Sequence, residues 1–164
     1  MKTREEAIRS LIGATRSRAI RESIAALAII FWLAHDLQSS VAYSPAYFGS
    51  IFMIAAAGFI MGMLWCYTLT HDALATHPAS DSSFWRAAFE SQAKLLSNVP
   101  GWYVAPIFIG ITLQAVPTSP GHFTWFVSFE IVLVAICGFI VWFNNVAASK
   151  LRAEAREQFT EAFA

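Results

Sequence analysis

One carboxylate stands in a stretch built to dissolve in lipid. FTWFVSFEIVLVAICGFIVWF, Phe123–Phe143, contains no Lys or Arg and a single acid, Glu130. If the chain enters a bilayer near His122, Glu130 lies about 12 Å deep at about 1.5 Å per residue. An ionised carboxylate at that depth is costly, so it must face protein, find a partner or take up a proton. His35 and Asp36, at the end of another apolar run, come out at about the same depth, and Thr112 and Gln114 are polar residues of the same half. His35, Asp36, Gln114 and Glu130 therefore form a candidate intramembrane polar cluster. Three readings of it stay open. Glu130 pairs with His35, or stays neutral and bonds Thr112 or a carbonyl, and fixes helix register. The group, with His122, binds a proton, a metal or a small ligand. Or it belongs to an interface with another protein. Carboxylate with imidazole can hold zinc, but no HxxxH spacing supports a metal, and none is assigned.

A second group, His71, Asp72 and His77, stands beside Pro78 in a turn and reads as solvated. No Walker loop, dinucleotide glycine fingerprint or recognisable Ser-His-Asp order is present. The expectation is a protein without catalytic residues or cofactor.

The elements that must position these residues are apolar helices. The 164 residues are 57% hydrophobic and only 13% charged, too apolar for a soluble core without large exposed patches. A spanning helix needs about 20 apolar residues. Four runs qualify: Ile24–Tyr43, Ala46–Thr70, Pro100–Pro117 and His122–Ala147. They do not alternate as barrel strands would. The expected class is an all-α membrane protein, one domain with four transmembrane helices.

Charge orients it. Of eleven Lys and Arg, six fall before Ser23, two in His71–Val99 and three after Ala148, with none in the other two connections. That is the positive-inside pattern for four crossings, with both termini cytoplasmic. Net charge is zero, which supports no nucleic-acid partner. Ile24–Leu33 does not read as a cleaved signal, because its charged flank is long and no small-x-small site follows.

Residues 1–23 form a basic helical segment with Ile8, Leu11, Ile12, Thr15, Ala19 and Ile20 on one face. It suits the membrane interface or a solvated extension of the first span. Between spans two and three, Ser82 or Ser83 can cap a helix from Phe84, whose apolar side (Phe84, Trp85, Ala88, Leu95, Leu96, flanked by Phe89) suits a surface-lying amphipathic helix. Pro100 and Gly101 should then break the chain and turn it into span three. The tail, 148–164, repeats the amphipathic spacing with Leu151, Ala155 and Phe159.

Span two contains GFIMG, so Ala55, Gly58 and Gly62 share a small-residue face for close helix packing, against this chain or a second copy. Trp32, Trp65, Trp102, Trp125 and Trp142, with Tyr43, Tyr47, Tyr67 and Tyr103, read as interfacial anchors. Cys66 and Cys137 differ in depth, which argues against a disulfide and reads both as small buried hydrophobes.

SRAIRESIAA, SPAYFGSIFMIAAAGFIMGMLW and FESQAKLLSNVPGWYVAPIFIG together resemble a family of small bacterial inner-membrane proteins of unassigned function, often encoded near extracytoplasmic-function sigma factors. The likeness rests on Arg21 and Glu22, on Gln92, Leu95 and Leu96, and on Trp102, Tyr103, Pro106 and Gly110, and covers Arg16 to Gly110. Fewer arginines around Gln92 and the Pro-Gly before Trp102 depart from the pattern. The resemblance implies a bacterial inner-membrane protein and no reaction. The functional expectation is an inner-membrane protein that contacts the lipid bilayer and works through a protein partner or self-association, in signalling or as an accessory subunit. The alternative is a small transporter or channel using Glu130 and His35.

Overall fold

The computed structural model describes residues 3–39, 42–69, 72–117 and 119–159. Six helices carry the fold: α1 Arg4–Ser39, α2 Pro45–Cys66, α3 Asp72–Thr76, α4 Ser82–Ser97, α5 Ala105–Ala115 and α6 Phe123–Phe159. A π-helical turn, Pro100–Val104, joins α4 to α5, and a 3-10 turn, Pro120–His122, leads into α6. Parts of three expected features (Ser40 and Val41 of span one, Thr70 of span two, and the tail beyond Phe159) lie outside the described residues.

The basic segment and the first apolar run are one helix. α1 starts at a reciprocal cap, in which the Thr3 N–H donates to Glu6 Oε2 and the Glu6 N–H to Thr3 Oγ1. Nothing in REEAIRSLIGATRSRAIRES breaks a helix, so it propagates into Ile24 and beyond. α6 likewise runs unbroken from the apolar stretch into the charged tail. Ser44 caps α2 by accepting from the Tyr47 N–H, with Pro45 at the first helical position.

Among the described residues, two helices are long and apolar enough to cross a membrane, α2 and α6, and a third is counted if α4 and Pro100–Ala115, bent by 48°, form one span. That is fewer than the four expected. As expected, the helix breaks here: α4 ends at Ser97 with Asn98 as its C-cap, and the chain resumes at Pro100 bent by 48°. Pro100 lacks an N–H and its ring displaces the carbonyl one turn back. The chain answers with a wider turn, closed by the Ala105 N–H on the Pro100 carbonyl. The Leu95 carbonyl is satisfied instead by the Trp102 indole at 3.0 Å.

The amphipathic faces do not lie on a surface. Ala7, Ile8, Leu11 and Ile12 of α1 pack with Trp85 and Phe89 of α4 and with Ala155 and Phe159 of α6 in one core. Three faces that look alike in sequence cover one another, which removes more apolar area from water than an interface allows. Arg4 ties the two chain ends together by donating to the Gln158 carbonyl at 2.8 and 3.1 Å. The cap of α4 is Asp81 rather than Ser82 or Ser83: its carboxylate accepts from the Phe84 N–H at 3.1 Å and from Ser83 Oγ at 2.9 Å.

A second core joins Ala19 of α1, Ile60 and Leu64 of α2, Leu95 of α4, Val99 just after it, and Trp102. Close helix packing in α2 uses a face other than the expected one. A Cβ at Gly49 would lie 2.8 Å from the Gln114 backbone nitrogen and 3.0 Å from the Gly110 carbonyl oxygen. Nothing lies within 4 Å of such an atom at Gly58 or Gly62, and Ala55, Gly58 and Gly62 are all exposed. Helix α5 therefore seats on Gly49, and the Gly58–Gly62 face meets no other part of the chain among the described residues.

Candidate functional site

The expected polar cluster divides. Glu130 turns toward α5, where Thr112 Oγ1 donates to its Oε2 at 3.2 Å. Its other oxygen, Oε1, is buried and has no hydrogen-bond partner among the described residues. Gln114 faces the opposite way and donates to Ser50 Oγ on α2 at 3.2 Å. His35 is exposed and Asp36 half-buried on α1, and no hydrogen bond joins His35 to Glu130. The depth estimate set heights along the helices, but depth carries no information on which way a side chain faces. α1 packs on α2, and α2 on α5, while α6 touches α5 only sparsely. Of the open readings, the geometry gives the bond from Thr112.

Of the second group, His71 lies outside the described residues. His77 is stacked on Phe84 with ring centres 3.7 Å apart, and its Nδ1 is 3.1 Å from Asp81 Oδ2. The Phe84 N–H, the His77 ring and the Ser83 hydroxyl hold the Asp81 carboxyl below its ordinary value. This group organises the start of α4. No cluster of three or more His, Cys, Asp or Glu side chains able to hold a metal occurs among the described residues. Cys66 is exposed and Cys137 half-exposed, neither a core residue, and both are free.

Chemistry-bearing side chains converge elsewhere, around Glu22. This residue sits on α1 just before the apolar run, where its carboxylate would be costly unless paired. Tyr103 Oη, on the π-helical turn, donates to Glu22 Oε2 at 2.8 Å. Arg18, one turn back on α1, places Nε 3.8 Å from Glu22 Oε1, with about a quarter of each side chain exposed. Burial pulls the Arg18 guanidinium below its ordinary value, more than the nearby Glu22 and Tyr103 restore. Arg21 is exposed and donates from Nε to the Ser17 carbonyl at 3.3 Å.

These residues line a cavity of about 480 Å³ between α1, α4, the π-helical turn and α6. Gln92, Leu96, Phe143 and Asn144 complete its wall. A smaller apolar slot of about 140 Å³ runs between α1, α2 and α5, lined by Ala25, Ala26, Met53, Ala57 and Ile107 among others. Glu22 and Tyr103 belong to both walls. The bend at Pro100 makes this possible, because it swings Tyr103 off the line of α4 and onto α1.

Five of the residues that carried the family resemblance, Arg21, Glu22, Gln92, Leu96 and Tyr103, meet at this cavity. In the sequence they are separated by up to 82 positions. Two others are structural: Trp102 is buried on the Leu95 carbonyl, and Gly110 lies against Met53. Trp102 and Tyr103 are thus hydrogen-bond donors within the chain, and Trp65, half-exposed, also donates, to Ser23 Oγ at 2.9 Å. Gln92 Nε2 donates to the Tyr67 carbonyl and closes the end of α2. The Arg18–Glu22–Tyr103 grouping escaped sequence reading, although a lone acid at the threshold of an apolar run was its signal. Comparisons of the chain with protein-family models, curated proteins and solved structures find no match.

Proposed function

We propose that this chain is a four-span bacterial inner-membrane protein, both termini cytoplasmic, that works by associating with a protein partner or with itself rather than by catalysis. The observation that carries the reading is the surface its apolar helices leave uncovered. Leu133 is the one buried residue of Phe123–Phe143, and among the described residues nothing approaches Gly58 or Gly62 on the exposed Ala55–Gly58–Gly62 face of α2. Lipid covers such surfaces as well as protein does, but a small-residue face favours another helix, because it lets two backbones approach closely. The resemblance to small inner-membrane proteins agrees with this reading, and we propose a role in signalling or as an accessory subunit.

A small transporter or channel built on Glu130 and His35 is the rival. The unpartnered Oε1 of Glu130 favours it; the Thr112 bond, with His35 elsewhere, weighs against it.

Oxidative cross-linking in native membranes tests association, using Gly58→Cys in a background with Cys66→Ala and Cys137→Ala. Cross-linked dimer, or one defined partner recovered with it, is the expected result. Monomer alone, in a preparation that moves solute in liposomes, would replace this reading with the rival. Cysteines at Ser40 and Ser119 should label from outside the cell, and labelling only from the cytoplasm would reject the four-span topology.

A further inference from the structure

We infer that the Arg18–Arg21–Tyr103 cavity and the apolar slot beside it form one binding site for an anionic phospholipid, its phosphate against the arginines and an acyl chain in the slot. Three observations carry this. First, Arg18 is a half-buried cation whose needs the chain does not meet. Its contact with Glu22 is 3.8 Å, too long for a hydrogen bond, and its guanidinium donates no hydrogen bond among the described residues. Glu22 is already engaged by Tyr103. With Arg21 on the same wall, the cavity holds two guanidinium groups against one carboxylate. A phosphate fits that excess, since its oxygens match the planar guanidinium donors.

Second, the two spaces meet at Glu22 and Tyr103 but differ in character. The larger, at about 480 Å³, is in the range of roughly 300–1,000 Å³ typical of small-molecule sites. The slot, at about 140 Å³, is walled beyond Glu22 and Tyr103 by apolar residues such as Ala25, Ala26, Ile29, Met53 and Ile107, and this part takes an alkyl segment. Head and tail of an amphiphile require this pairing. Third, the site stands where the charged part of α1 gives way to its apolar run at Ile24. That is the level at which phospholipid headgroups meet basic residues.

Binding is measurable on purified protein in detergent, so its outcome is separate from that of the association reading. The delipidated chain in dodecyl maltoside is titrated with phosphatidylglycerol, phosphatidylcholine and glycerol 3-phosphate, with thermal unfolding and native mass spectrometry as readouts. Phosphatidylglycerol should bind saturably at one per chain and raise the midpoint of unfolding. Phosphatidylcholine and glycerol 3-phosphate should bind at least tenfold more weakly. Arg18→Gln with Arg21→Gln should cost at least tenfold for phosphatidylglycerol, whereas Arg86→Gln with Arg152→Gln, outside the cavity, should change nothing. Ala25→Phe, at an exposed position on the slot wall, should weaken the lipid while leaving both arginines in place. Should the double arginine variant not fold, Arg21→Gln alone, on an exposed side chain, should still cost severalfold. Equal binding of phosphatidylcholine would overturn the inference, as would arginine variants with unchanged affinity. Equal binding of glycerol 3-phosphate would also overturn it and make this a site for a soluble phosphate.

Discussion

Alanine substitution at four glycines separates the helix face that packs from the face that does not. At Gly49 an added Cβ would meet the Gln114 backbone nitrogen at 2.8 Å and the Gly110 carbonyl oxygen at 3.0 Å, which a side-chain rotation cannot relieve. Either α5 moves away from α2 or the contact is lost, and overpacking of this kind costs about 1–3 kcal/mol. At Gly110 the same atom would meet Met53 Cγ and Sδ. Met53 is unbranched and adaptable, so Gly110→Ala should cost less, about 1 kcal/mol at the low end of that range. Gly58→Ala and Gly62→Ala meet nothing within 4 Å and should be neutral, or gain up to about 1 kcal/mol of helix preference. The assay is equilibrium unfolding of the purified monomer in mixed micelles, followed by circular dichroism. If Gly58→Ala destabilised the monomer as much as Gly49→Ala, the α2–α5 interface described above would be wrong. A bulkier change on the same face, Gly62→Ile combined with Gly58→Cys, should lower cross-linking in membranes while leaving monomer stability intact, which ties the result to the association reading.

Other expectations concern the two ends of the molecule. Phe89→Ala should cost about 3–5 kcal/mol, since Phe89 is fully buried between α1 and α6, and hydrogen exchange should rise in residues 4–12 and 151–159 together; loss of protection in α4 alone would contradict the shared core. The Asp81 carboxyl is held below its ordinary value in the folded chain, so its support of α4 is complete above about pH 4, the unfolded value, and is lost as pH falls through the lowered one. Protection at the start of α4, taken as exchange relative to the intrinsic rate at each pH, should therefore fall below that pH in the parent and stay constant in Asp81→Asn. A double-mutant cycle of Glu130→Leu with Thr112→Val should show coupling of about 0.5–1.5 kcal/mol, whereas the cycle with His35→Leu should be additive; the reverse pattern would restore the expected His35 pairing.

Composition and the order of charges were enough to read a helical chain with apolar helices of membrane-crossing length, because helix formation and burial in lipid depend on what neighbours in sequence are. The small-residue stripe, the three amphipathic faces and the odd carboxylate at Glu130 were also visible there. What each of them touches was not. Periodicity says that a face of α1, α4 or α6 is apolar, but a bilayer surface and two other such faces satisfy it equally, and only packing chose the latter. Likewise, two glycine faces exist on α2, and the choice of Gly49 over Gly58 depends on where α5 lies. Glu130 and His35 match in depth yet face different neighbours, because height along a helix is a local quantity and azimuth is not. The meeting of Glu22 with Tyr103 across 81 positions depends on a bend of 48° at one proline, and sequence can announce that proline without stating which way the chain will turn.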